Sequence, residues 1–525
     1  MGGSVGSRIG DGDDRRPPDQ PVDLTRLLAR GCSHAPDAVA IATETEQMTW
    51  RELDEAARRL ATGFGQLGVR PGDRLASLMP NGLPIAVLYL ACLQAGLVMT
   101  PLNYRYTASG VDHALEVSEA AALVAHVERA DVVAASTRAA SLPLGLVGAG
   151  GDLGRTTLER LCTTPAGSLP PPPDPSAPAA IFFTSGSTGP AKGVTHSLAS
   201  LGWMVATGVA AFELTDDDVF LPASSLSHLG ATVCMLSSFA VGARVVVART
   251  ADAGEVFPLL RAHRPTVLAM LPAALAALVR DDDATADAFA SLRLCRVGSD
   301  AVPAKLHEQF SELTGLLVDE GYGMTEVGIV ALSPPSGEIR RGSMGLAAPG
   351  VTLCLVDDDG AEVASGEVGR ILIRAPSVLT GYWRDPGATA QVLRDGWFDS
   401  GDLARIDADG YLWFVGRRKH IIVHDGSNIS PLEVERALAE HPAVSLAVVV
   451  GIPDEVHGEN VWASVTLAGG AARPTVAELV EFARERVGYR APAEIEFLDA
   501  MPLTPAGKVD RLEIERLATR HRPDR

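Results

Sequence analysis

Residues 48–102 restrict the fold more than any other part of the chain. "MTWRELDEAARRLATGFGQLGVRPGD" opens with Thr49 three residues before Glu52, the spacing at which side chain and backbone cap each other at a helix start. Leu53, Ala56, Ala57, Leu60 and Phe64 then recur at helical intervals, and Gly68 ends the segment. "DRLASLM" reads as a strand. The apolar run "LPIAVLYLACLQAGLVMTPL" (83–102) is long enough to raise a membrane span, but Pro84, Gln94, Gly96 and Pro101 interrupt it. It is better read as a buried helix followed by a buried strand. Helix and strand blocks alternate in this way to about residue 160 and again from about 178 to 330, which predicts a large layered α/β domain.

The rhythm changes after residue 330. "GVTLCLVDDDGAEVASGEVGRILIRAP" (350–376) gives short strands between Asp/Gly turns, as in a small β-barrel or distorted sheet. After Pro431 comes a compact α+β unit: helix "LEVERALAEH", strands "SLAVVVGI" and "VWASVTL", helix "VAELVEFARERV" and strand "EIEFLD". The expected division is a disordered polar tail over 1–24, a main domain over 25–416, a hinge over 417–420 and a C-terminal cap over 421–525. "PAGSLPPPPDPSAP" (165–178) is too proline-rich for regular structure and reads as a linker or exposed loop.

Composition excludes several classes. The chain has 525 residues, 46% of them apolar, enough to fill several cores. Its net charge of −20 argues against a nucleic-acid partner. The six cysteines form no CxxC pair and no zinc spacing, so reduced, mostly buried thiols in a cytoplasmic protein are expected. The first residues, "MGGSVGSRIGDGDDRRPPDQP", lack the apolar stretch of a secretion signal. Of 45 basic residues only four are lysine: Lys192, Lys305, Lys419 and Lys508. Where charge alone matters the chain uses arginine. A retained lysine can mark a place that needs a compact ammonium on a flexible stem.

One of the four sits in "FFTSGSTGPAKGVTH" (182–196). An apolar strand runs into glycines, which turn successive N–H groups inward, and into hydroxyls that add donors. Lys192 adds a point charge, so the stretch suits a polyphosphate. It departs from the GxxxxGK[ST] loop, because Gly193 follows the lysine where Ser or Thr belongs.

This stretch resembles the phosphate loop of the adenylate-forming superfamily: acyl-CoA synthetases, adenylation domains and firefly-type luciferases. Three further motifs follow in that family's order: "GYGMTEVG" (321–328), "WFDSGDLARIDADGYLWFVGRRKHII" (397–422) and "PLTPAGKVDR" (502–511). The resemblance spans roughly residues 25 to 520. It implies an ATP-dependent acid–thiol ligase, most simply an acyl-CoA synthetase that adenylates a hydrophobic carboxylic acid and passes the acyl group to coenzyme A, with ATP, Mg2+ and coenzyme A as cofactors. A free-standing enzyme loading an acyl carrier protein, and a non-catalytic nucleotide-binding sensor or scaffold, are the alternatives.

The resemblance also assigns roles. Thr184, Ser185, Gly186, Ser187, Thr188, Gly189, Lys192 and Gly193 would hold the β- and γ-phosphates. Glu326 with Thr184 would hold Mg2+. Thr325 would hydrogen-bond the α-phosphate, and Tyr322 would lie against adenine, with Ser299 and Gly323 beside it. Asp402 and Arg417 would take the ribose hydroxyls. His228, Gly230, Gly298 and Gly321 would line the acid site. Lys508 would reach in from the cap to bridge carboxylate and α-phosphate. Lys419 would be the hinge, with Gly426 and Ser427 on the thiol side. Lys305 fits no motif and is expected on the surface.

The departures are specific. His420 stands where the family usually has Asp. Asp425-Gly426-Ser427-Asn428 replaces a Gly-Gly-Glu-Asn run, which puts the identity of the thiol acceptor in doubt. His420 and His424 are expected as solvated loop histidines. Small residues Ala223, Ser224 and Ser225 before His228 leave room for a wide, bulky acid. No acidic residue stands in "LPASSLSH" to grip an ammonium, which disfavours amino-acid activation, although Asp300 departs from the family's small residue.

Overall fold

A computed structural model describes residues 17–184, 191–299, 302–454, 456–504 and 508–520. Thr49 caps the helix Trp50–Gln66 through the anticipated reciprocal bonds with Glu52. The apolar run becomes the helix Leu83–Ala95, ended by Gly96 at φ 66°, and the strand Val98–Pro101. Eleven of the helix's 13 residues are buried, so it lies within the core and has no free polar face. No helix among the described residues is long and apolar enough to cross a membrane.

Two large sheets enclose that core. The first has eight strands. Thr156–Thr157, Gly145–Ala149, Ala122–His126, Arg74–Leu78, Val98–Pro101 and Pro178–Phe183 run parallel; Gly193–Ser197 and Gly381–Tyr382 close one edge antiparallel. The second has nine. A parallel centre of Val39–Ala42, Arg244–Val246, Val219–Ala223, Val267–Met270, Leu294–Gly298 and Val318–Met324 is bounded by antiparallel strands. Helices Trp50–Gln66, Leu83–Ala95, Leu198–Ala211 and Leu229–Val241 share one apolar cluster with strands of both sheets. Parallel strands are buried on both faces, which is why their sequences read as continuous apolar runs.

The segment after residue 350 forms an antiparallel five-stranded sheet in open order, in which Trp397–Ile406 pairs with both Val368–Arg374 and Leu412–Arg417. Beyond the short 3-10 turn Arg418–His420 comes a last sheet. Its strands Val444–Asp454 and Gly458–Leu467 pair along their length, with helices Pro431–Ala439 and Val476–Val487 packed against it. The proline-rich stretch has no regular element between Cys162 and Pro178. The expected tail ends earlier than residue 24: Val22 N–H donates to the Gly202 carbonyl at 3.1 Å, and Leu24 is buried. Residues 1–16 lie outside the described set. No disulfide joins the six cysteines, and four of them are buried.

Candidate active site

The candidate residues gather at the carboxyl ends of parallel strands, where open α/β sheets bind their ligands. Thr184 follows Pro178–Phe183, Ser299 follows Leu294–Gly298, and Tyr322, Gly323 and Met324 end Val318–Met324. Gly298 is paired with Gly321 across the last two strands. A Cβ on Gly298 would sit 3.1 Å from the Gly321 carbonyl oxygen, and one on Gly323 would sit 2.5 Å from that of Gly328. The two backbones approach that closely only because side chains are absent.

The chain then turns through Thr325, Glu326 and Val327 and returns as Gly328–Leu332. Three contacts fix this turn. His196, fully buried on the other large sheet, places Nε2 2.8 Å from the Thr325 carbonyl. Leu379 N–H donates to the Glu326 carbonyl at 2.7 Å. Tyr382 Oη donates to Glu326 Oε1 at 3.0 Å. The Tyr382 ring also lies 4.8 Å beneath Lys192 Nζ. One tyrosine therefore links the lysine of the candidate phosphate loop to the candidate metal carboxylate. Burial pushes the Glu326 carboxyl up, so a cation beside it would favour its charged form. Residues Ser185, Gly186, Ser187, Thr188 and Gly189 lie outside the described set, as does Asp300. At the ends of the loop, Thr184 N–H donates to the Lys192 carbonyl at 3.2 Å.

A second group forms on the five-stranded sheet. Asp402 is paired in register with Arg417 and is 2% exposed. Tyr322 Oη donates to its Oδ2 at 2.7 Å. Arg417 Nε stands 3.1 Å from Oδ1 as an ion pair without hydrogen-bond alignment. Among the described residues, buried Oδ1 accepts no hydrogen bond. A buried acceptor left open beside an aromatic ring fits a sugar hydroxyl on a base-bearing ligand. Burial raises the Asp402 carboxyl, while Arg417, Tyr322, Lys419 and Lys508 pull it back. Tyr322 itself is pushed well up by burial and by that carboxylate, and its ring tilts 35° to Phe414 at 6.4 Å.

The third group is the loop before helix Leu229–Val241. Asn81 holds it: its side chain donates to the Ser224 carbonyl at 2.8 Å and accepts from Leu226 N–H at 2.8 Å. Tyr89 Oη donates to the Leu226 carbonyl. His228, at the helix start, places Nε2 3.4 Å from Asn103 Nδ2. Desolvation, then the charges of Lys508 and Arg105, hold its imidazole down at about 4, so it is neutral and can accept that amide. Gly230 is exposed, and nothing lies within 4 Å of where its Cβ would be.

Lys508, from the C-terminal unit, acts electrostatically on both Asp402 and His228. Lys419 lies in the field of Asp402 within the turn Arg418–His420, and desolvation, with help from Arg417, lowers its pKa. Gly426 and Ser427 lie on the hairpin Ile422–Ile429. Lys305 is an exposed position on helix Ala304–Thr314.

The expectation of solvated loop histidines is overturned. His420 is partly buried, and desolvation, with Arg511, Lys419 and Arg417, holds it down at about 4. His424 ends a strand, and its ring stacks on His457 at 5.0 Å. Tyr382, Asn81 and Asn103 belong to none of the four sequence motifs, and His196, the last residue of the first, carries no role in it. The partners named above lie 56 to 145 positions away in the chain, the nearest being Glu326 for Tyr382, so no local spacing marks them.

Closely apposed glycine backbones, a buried carboxylate with an open lone pair, and a lysine from the C-terminal unit fit an adenylate-forming enzyme. Residues 28–383 match the AMP-binding enzyme family, and residues 433–508 match the AMP-binding enzyme C-terminal domain. The chain belongs to the AMP-binding enzymes and is an AMP-forming acid–thiol ligase. It is 35% identical over 495 residues to a feruloyl-CoA synthase of an Amycolatopsis species, covering 92% of this chain and 96% of that protein. It is 32% identical over 509 residues to an indoleacetate–CoA ligase of Aromatoleum aromaticum, covering 95% and 99%. The ATP-bound crystal structure of MatB from Rhodopseudomonas palustris superposes with a TM-score of 0.88 at 29% identity, covering 95% of this chain and 99% of that one.

Proposed function

We propose that the protein adenylates a bulky, hydrophobic, ring-bearing carboxylic acid and transfers its acyl group to coenzyme A. The observation that carries this reading is the charge of Lys508, which acts on both Asp402 and His228. The reaction brings a carboxylate to the α-phosphate of ATP, two anions that repel each other. A flexible ammonium between them stabilises the charge that both share as the bond forms. Thr325 donates to the α-phosphate and Tyr322 lies against adenine, with Ser299 and Gly323 beside it. Asp402 and Arg417 take the ribose hydroxyls. The loop from Thr184 to Gly193 takes the β- and γ-phosphates, Lys192 supplying charge there. Thr184 and Glu326 would hold Mg2+, a hard ion suited to hydroxyl and carboxylate oxygen, which neutralises triphosphate charge when bound.

The acid would enter beside His228, Gly230, Gly298 and Gly321. Three features favour a wide substrate: Ala223, Ser224 and Ser225 are small, Gly230 opens onto free space, and two curated relatives carry the names of ring-bearing acids. After adenylation, the unit beyond Arg418–His420 turns about Lys419. Lys508 is withdrawn, and Gly426 and Ser427 come to the thiol side. Cytoplasmic placement fits six cysteines that form no disulfide.

Pyrophosphate release with a panel of acids tests the reading. Ring-bearing acids are expected to exceed short linear ones in kcat/KM by about 10-fold or more, since each methylene-sized contact is worth roughly 1–3 kcal/mol. Preference for acetate or another short linear acid would refute it. Free coenzyme A offered against a loaded carrier protein identifies the acceptor.

A further inference from the structure

Two histidines flank one aspartate on the C-terminal unit, outside the groups described above. Asp425 and Gly426 make the two-residue turn between strands Ile422–His424 and Ser427–Ile429, with His424 opposite Ser427. Both have positive φ, 49° and 74°, the turn for which Asp-Gly is favoured. This turn lies against a second one: Asp425 N–H donates to the His457 carbonyl at 2.9 Å. The rings of His424 and His457 stack 5.0 Å apart, 26° from parallel. The Asp425 carboxylate reaches both, with Oδ1 2.8 Å from His457 Nδ1 and Oδ2 3.6 Å from His424 Nε2. One ligand atom from each residue lies within 4.8 Å of the other two.

The neighbours orient this group. His424 Nδ1 is 2.6 Å from the Glu459 carbonyl oxygen and donates to it, which turns Nε2 toward Asp425. Metal-ligating histidines are commonly fixed in this way, by donating the other ring N–H to a carbonyl. The nearby carboxylates are engaged elsewhere. Asp454 holds the amides of Val456 and His457 and the side chain of Asn460, and Glu459 accepts from Val423 N–H. They build the two turns and leave Asp425 as the carboxylate ligand.

We propose that His424, Asp425 and His457 bind a borderline divalent transition-metal ion, Zn2+ or one chemically like it, which pins the hairpin to the turn at His457. Bonds of about 2.0–2.1 Å in a tetrahedral site separate ligand atoms by roughly 3.3 Å. That falls inside the spacings found here, which run from 2.8 Å to at most 4.8 Å. Two imidazoles and a carboxylate select Zn2+, Co2+, Ni2+ or Cu2+ over Mg2+, which prefers an all-oxygen shell. The site is therefore chemically separate from any Mg2+ position beside Glu326. It also lies at the point where Asp425-Gly426-Ser427-Asn428 departs from the family's Gly-Gly-Glu-Asn run.

Full-length, tag-free, chelator-treated protein provides the test. Zn2+ is titrated by calorimetry, and Co2+ by its ligand-field absorption, each with Mg2+ in excess. One equivalent is expected whose affinity falls by about 100-fold or more in either His457→Ala or Asp425→Asn. Zn2+ is expected to raise the melting temperature of the parent protein and of neither variant. The metal-free melting temperature of each variant reports its folding, and using two variants guards against a fold defect in one. Equal Zn2+ affinity in the parent and both variants, or displacement by Mg2+, would overturn the site.

Discussion

The open lone pair on Asp402 yields the sharpest quantitative expectation. Asp402→Asn keeps the side-chain volume in a position that is 2% exposed. It removes the charge facing Arg417 Nε at 3.1 Å and weakens the acceptor bonded by Tyr322 Oη at 2.7 Å. If ribose hydroxyls donate to this carboxylate, the variant loses a charge-assisted hydrogen bond worth about 1.5–3 kcal/mol, roughly 10- to 150-fold in affinity. The loss is in binding shared by ground and transition states. KM for ATP is therefore expected to rise by that factor, with kcat changed much less. Pyrophosphate-release kinetics with ATP, 2′-deoxy-ATP and 3′-deoxy-ATP complete a cycle. The parent enzyme should penalise at least one deoxy analogue by a similar factor, and Asp402→Asn should not discriminate against that analogue. A variant that discriminates as strongly as its parent would show that the carboxylate does not touch the sugar.

Other consequences follow from the same geometry. Tyr382→Phe keeps the ring beneath Lys192 and deletes the bond to Glu326; the Mg2+ concentration for half-maximal adenylation should rise by about 10- to 100-fold, with the melting temperature little changed. Gly323→Ala brings a Cβ within 2.5 Å of the Gly328 carbonyl; a cost of about 1–3 kcal/mol in denaturant melts and loss of adenylation are expected together. His196 is fully buried and, through desolvation, its pKa falls from 6.5 to about 4. The unfolded chain thus binds this proton first, so stability is complete above pH 6.5 and is lost as pH falls from 6.5 toward 4, by about 3 kcal/mol at most. Urea melts should show a shallower acid slope in His196→Gln, and an unchanged slope would contradict the assignment.

The sequence carried the layers of the fold because each is written locally. The Thr49–Glu52 box marks a helix start, and the broken apolar run at 83–102 marks a buried helix and strand. Asp/Gly turns marked the antiparallel sheet. The four motifs carried the site for the same reason, since Gly321 to Glu326 or Ser400 to Asp402 are contiguous. Tyr382, His196 and Asn81 were illegible because they act across sheets, on partners set by tertiary packing. His424 looked like a loop residue because nothing in its own segment announces His457, which the pairing of Ile422–His424 with Gly458–Leu467 brings alongside.

Adenylation is expected to depend on Lys508 as the cation that lets carboxylate and α-phosphate meet. The most direct measurement is Lys508→Ala assayed in two halves: pyrophosphate release from ATP and acid, and thioester formation from supplied acyl-adenylate and coenzyme A. Loss of about 100- to 1,000-fold in the first half is expected, the scale of removing one preorganised charge donor, with the second half unchanged. Equal loss in both halves, or adenylation at the parent rate, would contradict it.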